Sequence, residues 1–216
     1  MTNYEKLKFF FDSYAKTCNK SIEFNLHDAS YDKNNSTYLY ENRKDLSVID
    51  MDLFAQQVYT KLKFLQNELS DRKDINDLAM ATVDSFVIDK DNEWFFIEFK
   101  NTSLSSDKTK KSVVEKAYQN YYMLMDLFFE NKNNTNISFF DFDNPLLFAK
   151  EHITYILVIS EDKNSVDVER LHSMALAGEK FRPLYMEKLK HYLFKDAYVY
   201  LPSDFEREFV NNFKYV

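Results

Sequence analysis

Three charged residues stand at one end of the stretch DSFVIDKDNEWFFIEFKN, residues 84–101: Asp84 opens it, and Glu98 and Lys100 close it one residue apart. Residues 89–92, DKDN, form a turn-making run between two apolar segments. A β-hairpin turning near Asp91 sets Asp84 opposite Glu98 and Thr82 opposite Lys100. Two carboxylates aimed at each other from an apolar strand need compensation, and the usual one is a hard cation taking oxygen ligands, Mg²⁺ above all. Asp84, Glu98 and the backbone carbonyl of Phe99 provide such a ligand set, with water and a phosphate oxygen to complete it. In phosphodiester hydrolysis a metal so held lowers the pKa of bound water and neutralises developing charge. Lys100 is then placed to orient that water, to help deprotonate it, or to stabilise the charge that forms. The plain alternative is a surface hairpin whose Glu98–Lys100 pair is merely solvated. Against it, these charges interrupt an otherwise apolar strand instead of alternating along it.

The elements that must hold these residues are legible as periodicities. Residues 82–88 and 93–101 read as the two hairpin strands. On the second, Glu98 shares a face with Trp94 and Phe96, while Phe95, Ile97 and Phe99 take the other, so the strand is expected to be central and covered on both sides. A helix over 112–129 follows the polar loop TSLSSDKTK, with Val113, Ala117, Tyr118, Tyr121, Leu124, Met125 and Phe128 as its buried stripe. Upstream, 3–16 reads as a helix, IEFNL and TYLY as short strand pieces, and Val48–Leu69 as a longer helix buried along Met51, Phe54, Ala55, Val58, Leu62, Leu65 and Leu69. Downstream, Asn-rich residues 131–136 read as a surface insertion or disordered tip and ITYILVIS as a buried strand. A helix capped by Ser165 or Asp167, a helix over 183–193, a strand at 197–201 and a last helix capped by Ser203 or Asp204 complete the chain. Helices between and beyond strands give an α/β (α+β) fold with a mixed central sheet flanked by helices.

Composition narrows the chemistry. With 216 residues, 21 Phe and 15 Tyr, the chain can close one sizeable core, and one domain is the expectation. Its single glycine, Gly178, excludes the glycine-dependent machinery of P-loop NTPases, kinases, Rossmann dehydrogenases and ordinary α/β-hydrolases. A formal charge of −7 argues against a uniformly basic nucleic-acid-binding surface while leaving room for a local basic face. The lone Cys18 reads as core filler, and the four histidines show no metal-ligand spacing. Neither a signal-peptide pattern nor a membrane-spanning run is visible, so a cytoplasmic protein without membrane attachment is expected.

VDSFVID, then FFIEFKN, then a helix beginning near KSVVEKAYQ, resembles the PD-(D/E)XK nuclease-like superfamily, with its restriction endonuclease-like fold. The resemblance covers about residues 46–160, leaving 161–216 as a C-terminal α/β extension of the same domain. It implies Asp84 and Glu98 as the metal-binding carboxylates, Lys100 as the catalytic lysine, and Lys116 or Gln119 as the polar position on the following helix. Val83 stands where the family often has proline, and Met123 breaks the family's Gln-x-x-x-Tyr helix motif. A glutamate that many members carry on the preceding helix has no clear match; Glu68, Asp50 and Asp52 are the candidates. The implied activity is Mg²⁺- or Mn²⁺-dependent endo- or exonuclease hydrolysis, most naturally of DNA, with RNA open.

Lys108, Lys110, Lys111 and Lys116 follow the site closely, and Lys111, Lys116 and Gln119 are taken as substrate-binding candidates beside the solvated-helix alternative. Tyr118, Tyr121 and Tyr122 could stack on bases, but their helical spacing favours core packing. The competing reading is a catalytically inactive nuclease-like fold that binds nucleic acid or protein, with a homodimer or protein partner. It is favoured by the net charge, the lack of an added DNA-reading domain and the unplaced helix glutamate.

Overall fold

The alternation on either side of Glu98 becomes the middle of a mixed sheet in the computed structural model of the chain, which describes residues 1–41, 46–64 and 78–214. Helix α1 (Asn3–Thr17) starts from Thr2, whose hydroxyl accepts the Glu5 amide while the Glu5 carboxylate accepts the Thr2 amide. This reciprocal cap satisfies two otherwise orphaned donors. Strand β1 (Glu23–Asn25), the short helix α2 (Leu26–Ala29) and a small ribbon of β2 (Tyr31–Asp32) and β3 (Thr37–Tyr38) follow.

The helix expected from Val48 begins later. Ser47–Asp50 is strand β4, after which Asp50 caps α3 (Met51–Phe54) through the Leu53 amide, and a π-helical turn, Ala55–Tyr59, leads into α4 (Thr60–Phe64). The β-branched pair Val48–Ile49 favours the strand, and helical spacing takes hold only after the cap. Met51, Phe54, Ala55 and Val58 are buried as their spacing predicts. Leu65, Glu68 and Leu69 lie outside the described residues.

Strands β5 (Ser85–Ile88) and β6 (Trp94–Lys100) form the expected hairpin, with Ser85 opposite Ile97 and Ile88 opposite Trp94. The first strand is shorter than 82–88 because the Asp84 carboxylate, in place of a main-chain carbonyl, accepts the Phe99 amide. Helix α5 (Asp107–Glu130) starts at Asp107, not Ser112: Ser106 caps it through the Thr109 amide, so Lys108 and Lys110 belong to its first turn. Tyr121 is buried, but Tyr118 and Tyr122 are 46% and 60% exposed, which corrects the stripe. One turn apart, they share the outer face opposite Val113, Ala117 and Leu124. The Asn-rich segment gives way to a 3₁₀ turn, Thr135–Ile137, whose Ile137 is buried.

Helix α6 (Pro145–His152), which the periodicity did not predict, leads into β7 (Ile153–Ile159). Helices α7 (Val168–Leu176) and α8 (Leu184–Tyr192) lead to β8 (Asp196–Tyr200), and α9 (Pro202–Glu208) follows. Asp167 occupies the N-cap of α7 without a side-chain capping bond. Neither Ser203 nor Asp204 caps α9, because Pro202 already takes its first position. At its other end α7 closes on Gly178 (φ +73°): the Gly178 amide reaches the Ala175 carbonyl and the Glu179 amide reaches Met174. The remaining left-handed positions among the described residues are Asn19, Ser36 and Asn92.

The chain is therefore α/β, with a mixed sheet in the order β1-β4-β5-β6-β7-β8, antiparallel as far as β6 and parallel from β6 to β8. Residues of the last third, through β8, pair directly with β7 in this sheet. Alternation divides the core in two. Trp94, Phe96, Tyr155, Leu157, Ala197 and Val199 pack under residues of α1, α3, α5 and α8, while Ile97, Phe99, Ile156, Val158, Tyr198 and Tyr200 face Phe205 and Phe209. Trp94 sits among Phe86, Phe128, Phe139, Phe140 and Phe148, so the strand that carries Glu98 is anchored by aromatic edge contacts. No helix among the described residues is long and apolar enough to cross a membrane.

Candidate functional site

Strand periodicity turns Glu98 to the Trp94–Phe96 side of β6, where α5 packs, and Lys116 descends from that helix onto it. Its Nζ lies 2.9 Å from Glu98 Oε1 and 3.0 Å from Oε2, 3.4 Å from Asp84 Oδ1 and 3.9 Å from Asp52 Oδ2. Lys100 Nζ lies 2.7 Å from Glu98 Oε1 on the same carboxylate. The fold thus brings Asp84, Glu98, Lys100 and Lys116 together. Of the three acids considered for the preceding helix, Asp52 enters the cluster, held by the Thr82 hydroxyl at 2.9 Å. Asp50 is spent on capping α3.

The other candidates are placed differently. Phe99 engages Asp84 through its amide, which donates to Oδ2 at 2.6 Å. In an extended strand the amide and carbonyl of one residue point to the same edge, so the Phe99 carbonyl faces the Asp84 side. Gln119 stands at the rim: its Oε1 accepts the Ala81 amide at 2.6 Å and its Nε2 donates to Glu115, tying the segment before Asp84 to α5. Lys111 is not with them. Five residues before Lys116, it is on another face of α5, exposed, and lines a mostly apolar cavity of about 1000 Å³ with Leu104, Val114 and Leu184.

Burial and mutual repulsion set the protonation. Burial, followed by the Glu98 charge, raises the Asp84 carboxyl to about 8, while Lys116 and the Phe99 amide pull the other way. Asp52 is raised as well, by burial and by Glu98, against the attraction of Lys116. Asp50 is pushed up to about 6, chiefly by burial. Burial works against the Lys116 charge, but Asp84, Glu98 and Asp52 together hold its pKa well above the ordinary lysine value. This site is acidic and internally neutralised by its lysines.

Two buried polar atoms here lack a hydrogen-bond partner. Glu98 Oε1 has two ammonium nitrogens at ion-pair distance, but neither is angled for a hydrogen bond. The hydroxyl of Tyr155, on the neighbouring strand, is the other; burial, then Glu98 and Asp84, raise its pKa. Carboxylate oxygens with such orphaned atoms beside them fit a hard cation or an ordered water. Asp52, Asp84 and Glu98 now share the Lys116 nitrogen, and among the described residues no three acidic, His or Cys side chains are drawn in closely enough to ligate an ion as they stand.

Two of these acids, Asp52 and Asp84, also face a cavity. This cavity of about 420 Å³ is lined by Asp28, Asp50, Asp52 and Asp84 together with Lys20, Tyr31 and Lys33. None of the latter three carries a local motif, so sequence reading had no signal for them. Comparison of the chain with protein-family models, curated proteins and solved structures returned no match.

Proposed function

We propose that this chain is a metal-dependent nuclease of the PD-(D/E)XK type, hydrolysing phosphodiester bonds in DNA with Mg²⁺ or Mn²⁺. The observation that carries the reading is the convergence of Asp84 and Glu98 on one lysine nitrogen, with Lys100 on the same carboxylate. Asp84, Glu98 and the Phe99 carbonyl would hold the ion, with Asp52 beside them. When bound, it would supply charge neutralisation at the phosphate and a more acidic water. For an ion to be held there, the Lys116 ammonium would have to give up its place between the carboxylates, where it would be free to meet the substrate phosphate. Lys100, anchored on Glu98, positions the attacking water and stabilises the charge developing on phosphorus oxygens. The restriction endonuclease-like arrangement of the sheet belongs to the same reading.

The second reading, an inactive binding module, is favoured by the same Lys116, because an ammonium among three carboxylates already neutralises them as a structural network would. Activity separates the two. Purified protein should cut DNA with Mg²⁺ or Mn²⁺ and stop on EDTA, and Lys100→Ala should lose turnover while keeping its fold. If single- and double-stranded DNA and RNA all survive the wild-type protein with either metal, the binding module stands in its place.

A further inference from the structure

The cavity outside the acids suggests what form of DNA enters. Resting on the nuclease reading, we infer that the site takes a single strand, with the base next to the reacting phosphate stacked on Tyr31. The β2–β3 ribbon borders the cavity; Asp32, beside its turn, is tied to Asn34 and Asn35, and Thr37 and Tyr38 line a neighbouring cleft with Asn101, just beyond β6. The ribbon therefore stands beside the end of the strand that carries Glu98 and Lys100.

Its two tyrosines and His27 of α2 form an aromatic cluster. His27 stacks on Tyr38 at 4.0 Å with an interplanar angle of 22°, Tyr38 meets Tyr31 at 4.9 Å with the rings tilted by 48°, and Tyr31, 41% exposed, lines the cavity. An exposed ring backed by other aromatic rings is a platform for a base, because every base has a π-face and stacking tolerates any sequence. Lys20 and Lys33 border the same space and fit the flanking phosphates. About 420 Å³ is at the small end of ligand clefts and admits about one nucleotide. A base of a duplex reaches Tyr31 only by leaving its pair and its stack, whereas a base of a single strand is free to do so.

The test is fluorescence anisotropy with a labelled DNA 12-mer, single-stranded or in a blunt duplex, in Ca²⁺ to hold the complex without turnover. The single strand should bind at least tenfold more tightly than the duplex. Tyr31→Ala should lose about tenfold or more of single-strand affinity and leave duplex affinity unchanged, while Tyr31→Phe keeps both. Lys20→Ala with Lys33→Ala should flatten the salt dependence for the single strand by about 1.4 in log–log slope, at roughly 0.7 per phosphate contact. An RNA 12-mer of the same sequence reports whether the sugar matters. Equal affinity for duplex and single strand, or no effect of Tyr31→Ala on either, overturns the inference even if the protein cleaves DNA. Cleavage of no substrate, by contrast, removes the nuclease reading itself. Near-UV circular dichroism of each variant checks that the ribbon stays folded.

Discussion

The Lys116 ammonium lies 2.9 Å from Glu98 Oε1, a carboxylate with no exposed surface, and keeps only 13% of its own side chain in contact with solvent. Removing one member of a buried ion pair leaves the other uncompensated, at about 3–5 kcal/mol. Lys116→Met should therefore lower stability in EDTA by about 2–4 kcal/mol, less than the full amount because Asp84 and Asp52 can take protons. In the same variant the competitor for the carboxylates is gone, so the Tm increase on adding Mg²⁺ should be larger than in wild type. Scanning calorimetry with and without Mg²⁺ reads both, and an unchanged apo stability would remove Lys116 as the counter-ion of the site.

Asp84 carries the pH dependence. Its folded pKa, about 8, is above the ordinary aspartate value of 3.8, so the folded state holds a proton that the unfolded chain releases. That contribution is complete below about pH 3.8 and is lost as pH rises to about 8. In EDTA, Asp84→Asn should gain on wild type across this window, by about 1–3 kcal/mol at pH 8, since part of the side chain is still solvated. Urea titrations at pH 5 and pH 8 measure it; a difference that grows toward low pH would reverse the assignment.

Tyr155 makes an opposite test of the buried atoms. A hydroxyl sealed without a partner costs about 1–3 kcal/mol, and Tyr155→Phe removes it at nearly constant shape. Stability should stay level or rise by about 1 kcal/mol. A loss above about 1 kcal/mol would show that the hydroxyl holds a bond in solution, through a water in the acid site.

Away from the site, Arg182 grips Asp196 with two parallel bonds of 2.9 Å, at the start of β8. Burial opposes the Asp196 charge, yet this fork and the Ala197 amide hold its carboxyl below 3.8. Its stabilisation is present above pH 3.8 and disappears as pH falls through the lowered value. Arg182→Ala should cost about 1–3 kcal/mol at pH 7, and the gap to wild type should close in strong acid.

Much of this was readable in the chain. The hairpin register followed from DKDN, whose turn near Asp91 sets Ser85 opposite Ile97, while the apolar residues on both faces of Trp94 to Phe99 told only that the strand is covered on both sides. Lys116 was legible as a polar helix position and a phosphate-contact candidate; that it lies over Glu98 depends on how α5 crosses the sheet, which no local pattern specifies. Asp52 was one of three acids on a segment whose first residues are strand, and the cap at Asp50 decided between two of them. Tyr31 and Lys33 sit in a ribbon of two-residue strands, too short for any periodicity to register.

The single glycine at the end of α7 bears on the denatured chain. A Cβ at Gly178 would have nothing within 4 Å, so Gly178→Ala would be penalised through its left-handed backbone alone, by about 1–2 kcal/mol. Elsewhere the fold makes left-handed turns with Asn19, Ser36 and Asn92, accepting local strain where glycine would relieve it. Each such choice leaves the unfolded ensemble with fewer backbone states to lose on folding. Part of what holds the acid cluster together is thus absent from every contact in the folded protein: it lies in the restricted freedom of the chain that has come apart.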